Sequence, residues 1–203
     1  MRFVSPATAV IRTFSPTGED WLHEVRFDGW RVQIHRNANG VKIYSRRGID
    51  MADRFPGLRD ACLYLPTVAI DAELVACDTD GRPNFKTLRR AQENLCVWCI
   101  DLLEFRGQDI RLRPLCERKE LLRDLLIETD DDRKRFSEAF PDPVKLLAVA
   151  DSMGLRGVLS RRGAAAYTSG TDSGWIEVQS DSWRARTGER EAQDHDCKLR
   201  LNA

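Results

Sequence analysis

The dipeptide Asn39-Gly40 constrains this chain more than any other local feature. It stands between Trp30–His35 and Val41–Ser45, both alternating or rich in β-forming residues. Asn-Gly readily takes the two positive φ angles of a tight turn whose twist suits antiparallel strands, so the stretch predicts a β-hairpin. Asp80-Gly81 repeats the signal at the end of the apolar run Val68–Cys77, and Pro83 then interrupts any continuing strand. Leu95–Leu103 reads as another buried strand. Asp53–Leu63 predicts a short helix with Pro56 near its first turn, and Leu115–Ile127 a longer one behind Pro114. Pro143–Met153 predicts a further helix, followed by a short strand over Gly157–Ser160. Hairpins rather than βαβ crossovers imply an α+β fold with antiparallel sheets. From Asp181 onward the hydrophobic period disappears, which predicts a polar, flexible tail over 181–203.

At 203 residues the chain suits one domain with a substantial core. Its 32 basic residues balance its 32 acidic ones, so any nucleic-acid surface must be a local patch. No stretch approaches the ~18 apolar residues of a membrane span, and Met1 to Phe14 lacks the apolar stretch of a signal peptide. The expectation is a cytoplasmic protein whose six cysteines are reduced. Cys96 and Cys99 form a C-x-x-C within an apparent strand, where odd spacing sends the two side chains to opposite faces. They read as buried thiols rather than a metal or redox site.

A series of short motifs carries the chemistry. Glu24-Val25-Arg26-Phe27-Asp28-Gly29-Trp30-Arg31 has the pattern Glu-x-Arg-x-Asp-Gly-x-Arg. It is followed by Ser45-Arg46-Arg47-Gly48 and by Ile70-Asp71-Ala72-Glu73-Leu74-Val75. Glu73 sits among apolar strand residues, a costly place for a carboxylate without a partner. Next come Val97-Trp98-Cys99-Ile100-Asp101-Leu102-Leu103 and Pro114-Leu115-x-Glu117-Arg118-Lys119. Last are Leu155-Arg156-Gly157-Val158-Leu159-Ser160-Arg161-Arg162 and Ser169-Gly170-x-x-Ser173-x-Trp175-Ile176-Glu177-Val178-Gln179.

In this order the motifs resemble the adenylation domain of ATP-dependent DNA ligases, most of all the bacterial end-joining type, over roughly Pro6 to Gln179. The resemblance implies a nucleotidyltransferase (ATP-grasp-like) domain over 1–180, with two packed antiparallel sheets flanked by helices. The residues after Gln179 are too few for the OB barrel of such ligases, so no OB domain is expected. Also implied are ATP and magnesium as cofactors, nicked or broken DNA as partner, and a lineage in DNA repair and recombination. By position, Arg26 stands at the place of the nucleophile. Glu24, Arg31, Arg46, Glu73, Ile100, Arg161, Glu177 and Gln179 stand at nucleotide-binding places, with Glu73 also at the metal's.

The resemblance breaks at the reacting centre. The family's nucleophile is a lysine that attacks the α-phosphate of ATP; a guanidinium has no comparable neutral form to offer. Arg156 replaces a metal-supporting glutamate and Arg161 a lysine, while Glu177 and Gln179 replace two lysines that grip phosphate. Glu177 is expected to set a negative charge where phosphate would sit. Ile100 replaces an aromatic, which removes base stacking. The expected protein is therefore a ligase-like domain that binds nucleotide or a DNA end without forming lysyl-AMP. An active ligase with another nucleophile and a vestigial duplicate remain as alternatives.

Overall fold

The computed structural model describes residues 1–78, 83, 88 and 94–188. The expected hairpin forms between β3 (Trp30–Asn37) and β4 (Gly40–Ser45), but Asn37 pairs with Gly40, so the loop is Ala38-Asn39 and only Gly40, at φ 109°, takes a positive φ. Around it stand β1 (Val10–Ile11), β2 (Trp21–Arg26), β5 (Val68–Ala76), β6 (Leu95–Phe105) and β7 (Gln108–Asp109). The chain continues through β8 (Lys134–Phe136), β9 (Ala139–Phe140), β10 (Gly157–Arg162) and β11 (Ile176–Gln179). The helices are α1 (Pro56–Ala61), α2 (Leu115–Thr129) and α3 (Pro143–Ser152), with a further helical segment, α4, over 181–188.

Two sheets result. One has the order β1-β11-β10-β2-β9; the other runs β4-β3-β5-β6-β7, with β8 also pairing with β6. The sheets are mainly antiparallel, as expected, with two additions: β1 pairs with β11 and β8 with β6 in parallel. Both are short strands reached by long connections rather than hairpins, so antiparallel geometry is not imposed on them.

Alternation along β5 divides the interior. Val68, Ile70, Ala72, Leu74 and Ala76 pack with Leu58 of α1 and with Leu122, Leu125 and Leu126 of α2. Asp71, Glu73 and Val75 face the other way, toward the first sheet. Asp142 starts α3 by accepting from Val144 N and Lys145 N, both at 3.0 Å, with Pro143 in the first turn.

The single helix expected over Asp53–Leu63 is split into a 3-10 turn, Ala52–Arg54, and α1. Phe55, preceding Pro56, is driven out of helical geometry to φ −126°, ψ 62°. The tail expected from Asp181 is helical over 181–188 instead. Ser182 N donates to Asp151 Oδ1 at 2.7 Å, Trp183 N to Ser180 Oγ at 3.3 Å and Arg186 Nη2 to Gly154 O at 2.9 Å. The Asp80-Gly81 turn and the rest of the tail lie outside the described residues.

Candidate phosphate site

Arg26 is the last residue of β2, and the register places it beside Gly157 of β10. Its side chain turns between the sheets, where Nη1 donates to Glu73 Oε2 and Nε to Glu177 Oε2 at 3.3 Å. Glu73 is 2% exposed, and its other oxygen accepts from Gly29 N at 2.7 Å. A Cβ on Gly29 would collide with Leu74 O and approach Glu73 Cγ to 2.8 Å, so the Asp-Gly step lets the motif's own backbone close on the carboxylate.

Glu177 sits between two guanidiniums. Arg156 grips it with both nitrogens, Nε to Oε1 at 2.7 Å and Nη2 to Oε2 at 3.2 Å, and Gln179 Nε2 donates to Oε1 at 3.2 Å. Burial opposes the charge of Glu177, but Arg156 and then Arg26 outweigh it and hold the carboxyl below its ordinary value. This corrects the expectation of a bare negative charge in the phosphate place: Glu177 is neutralised. Arg156 lies in turn over the ring of Trp183 at 5.0 Å, which ties α4 to the site.

A second, more deeply buried network lies behind the first. Arg161, 1% exposed, donates to Glu24 and to Asp101 Oδ2 at 3.1 Å. Asp101 also receives Arg118 through Nε at 2.8 Å and Nη2 at 2.9 Å, while Lys119 Nζ donates to Glu24 Oε2 at 2.9 Å. Burial lowers the Lys119 amine despite Glu24 beside it. Burial likewise opposes charge on Glu24, but Arg161 and Lys119 prevail and lower its pKa. Arg31 makes a two-pronged pair with Asp71, both contacts 2.5 Å, and Tyr167 donates to Asp71 Oδ2 at 2.6 Å. Arg118 and Lys119, given no role in the sequence reading, thus supply charge to this network. Their distance from their partners, 17 and 95 residues along the chain, left no local signal.

A cavity of about 260 Å³ opens on the first network. Arg26, Arg31, Arg46, Arg156 and Glu177 line it on the charged side; Pro6–Ala9, Leu159 and Trp175 close the apolar side. Arg46 projects from the turn after β4, exposed and without an ion pair among the described residues. Ile100 is 5% exposed and packs with Leu103, Leu159 and Trp175, so it does not line the cavity. Glu24 and Arg161 also stay behind it, bound to each other.

The donor set does not suit magnesium. Both oxygens of Glu73 are taken by N–H donors, Glu177 is enclosed by cations, and a guanidinium stands at position 156. Among the described residues no group of three or more Asp, Glu, His or Cys could hold a metal ion.

The family model described as "ATP dependent DNA ligase domain" matches residues 3–178. The "Multifunctional non-homologous end joining protein LigD" of Pseudomonas aeruginosa is 35% identical over 185 residues, 87% of this chain but 22% of that protein. "DNA ligase B" of Mycobacterium tuberculosis is 31% identical over 190 residues, 85% of this chain and 37% of that one. A solved "mycobacterial DNA ligase D complexed with ATP and MES" superposes with a TM-score of 0.77 at 25% identity, covering 86% of this chain and 60% of that one. The ligase domain of M. tuberculosis LigD superposes with a TM-score of 0.76 at 24% identity, covering 86% of this chain and 59% of that one. The chain thus spans between about a fifth and two fifths of the length of these curated relatives. The chain belongs to the ATP-dependent DNA ligase domain family.

Proposed function

We propose that this domain binds the phosphate of a nucleotide or a DNA end without forming an AMP adduct. The observation that carries the reading is the clamp on Arg26, a side chain unable to act as an amine nucleophile and held by Glu73 and Glu177. Two buried lysines offer no substitute. Lys119 is engaged by Glu24 and the Ser137 carbonyl, and Lys134 by the Ala61 carbonyl at 2.9 Å. Four guanidiniums line or border the cavity against Asp71, Glu73 and Glu177, which leaves one net positive charge, carried by Arg46, without an ion pair among the described residues. Guanidiniums can engage phosphate bidentately, so a ligand phosphate would enter against Arg46 and share Arg31 and Arg156.

The relatives are named for DNA ligation or end joining and one solved structure holds ATP, which makes ATP and DNA ends in the cytoplasm the first ligands to test. Incubation with α-labelled ATP and magnesium should give no protein-bound label after denaturing electrophoresis; a labelled band would overturn the reading. Melting temperature should rise with ATP, or DNA should be retained at low salt, and Arg46→Ala should abolish the effect. The closed pairing of the carboxylates favours a second reading, a vestigial domain without ligand. Absence of both a thermal shift and DNA retention would select it.

A further inference from the structure

Away from the cavity, Cys77 and Cys96 bring two thiols together. Val75 of β5 is directly opposite Cys96 of β6, and Cys77, two residues further along the same face, donates its N–H to Asn94 O at 2.9 Å. Cys77 therefore leans diagonally across the ladder toward Cys96, and the sulfurs lie 2.9 Å apart. Cys96 is buried at 4% exposure in an apolar cluster with Phe27 and Val75, while Cys77 is half-buried at its edge. One thiol of the pair is thus open to a small oxidant, and the other is within bonding reach of it.

The other described cysteines are placed differently. Cys62 and Cys99 are fully buried on the opposite face of the sheet, and Cys116 is exposed on α2. Burial pushes the Cys62 thiol up to about 12 and raises that of Cys99, and it pushes Cys96 up to about 12 as well, so what sets Cys96 apart is the Cys77 sulfur 2.9 Å away. The C-x-x-C pair of Cys96 and Cys99 is split between the two faces, and the partner of Cys96 is a residue on the neighbouring strand.

We propose that Cys77 and Cys96 are an oxidisable thiol pair, closed to a reversible disulfide by a peroxide. Cys77 sulfur attacks hydrogen peroxide, giving a sulfenic acid and one water. Cys96 sulfur then displaces the hydroxyl as a second water, with its proton and the sulfenic oxygen leaving together. Two thiols and one peroxide become one disulfide and two waters. The bond would join the ends of β5 and β6, the strands that carry Glu73 and Trp98.

The test uses the full reduced chain, treated with hydrogen peroxide, alkylated, and digested with trypsin without reductant. Lys86, Arg89 and Arg90 lie between the two cysteines, so trypsin separates their peptides unless a disulfide holds them; peptides 60–86 and 91–106 also carry Cys62 and Cys99, so fragmentation of the linked pair locates the bond. The expected product is one linked peptide pair joining Cys77 to Cys96, lighter by two hydrogens than its reduced parts and released by dithiothreitol. It should form equally in Cys116→Ser and be missing in Cys77→Ala. Recovery of both cysteines as alkylated thiols, oxidation of Cys77 to sulfinic acid without a link, or its bonding to Cys116 or Cys197 would each overturn the proposal. The wild-type digest decides alone, so a poorly folding variant leaves the test intact.

Discussion

Arg26 has two carboxylate partners, and lysine in its place would have the same two. An ammonium between Glu73 and Glu177 is held in its charged form, because opposite charges nearby raise its pKa, and a protonated amine does not attack phosphate. Arg26→Lys alone should therefore give no labelled band with α-labelled ATP. The fourfold change Arg26→Lys, Arg156→Glu, Glu177→Lys and Gln179→Lys should give one, since it removes the Glu177 half of the clamp and returns two cations to the cavity. A band from the single variant would show that the carboxylates do not restrain the position. The pair Arg156–Glu177 is informative in the same way. Arg156, just before β10, pairs with Glu177 of β11. The identity of each residue was legible in the sequence, but their mutual neutralisation was not, because Arg26 and Glu177 are 151 residues apart.

At the scale of elements, β10 and β11 meet most tightly at Gly157. This residue has φ 148°, and a Cβ there would collide with Val178 O and lie 2.9 Å from Gln179 Cα. Gly157→Ala should destabilise the domain by about 3 kcal/mol or more, combining backbone strain with displacement of β11. A urea midpoint unchanged from the wild type would refute this. Most elements were legible from local pattern: the Asn39-Gly40 turn, the strands over Val68–Ala76 and Leu95–Phe105, and the helices behind Pro114 and Pro143. The misses share a cause. α4 has no apolar period of its own and is held by Asp151, Gly154 and Arg156, all supplied from elsewhere in the chain. The short β1, β8 and β9 likewise form only because partners reach them.

For the whole molecule, the buried ion network is a matter of stability as much as of binding. Arg118 is 2% exposed and carries half of the support of Asp101. Arg118→Met should cost about 3–5 kcal/mol, since it leaves a buried carboxylate underpaired; a lowered urea midpoint with unchanged slope would show it. Acid should act in two stages. Burial, and then the Met1 ammonium, push His35 down to about 4 from its ordinary 6.5. The unfolded chain then takes up this proton first, and stability is lost as pH falls from 6.5 toward 4. Glu24 and Glu177 lie below their ordinary 4.5, so their contribution is present above that value and is lost on further acidification. Melting temperature followed against pH should show both limbs, and His35→Gln should reduce the first, leaving the part due to His23, which burial also lowers. A first limb unchanged in that variant would remove His35 from the account.

The sequence by itself determined the hairpin-built α+β architecture, the order of the ligase motifs and the arginine at position 26. These depend on local period, on turn chemistry and on residue identity, all of which are written along the chain. Only the tertiary structure decided that Glu177 faces Arg26 and Arg156, that Arg46 alone of the cavity's arginines lacks an ion pair among the described residues, and that Cys96 meets Cys77 rather than Cys99. Charge pairing and sulfur contact depend on which strand faces are brought together, and the packing of two sheets sets that across the whole chain.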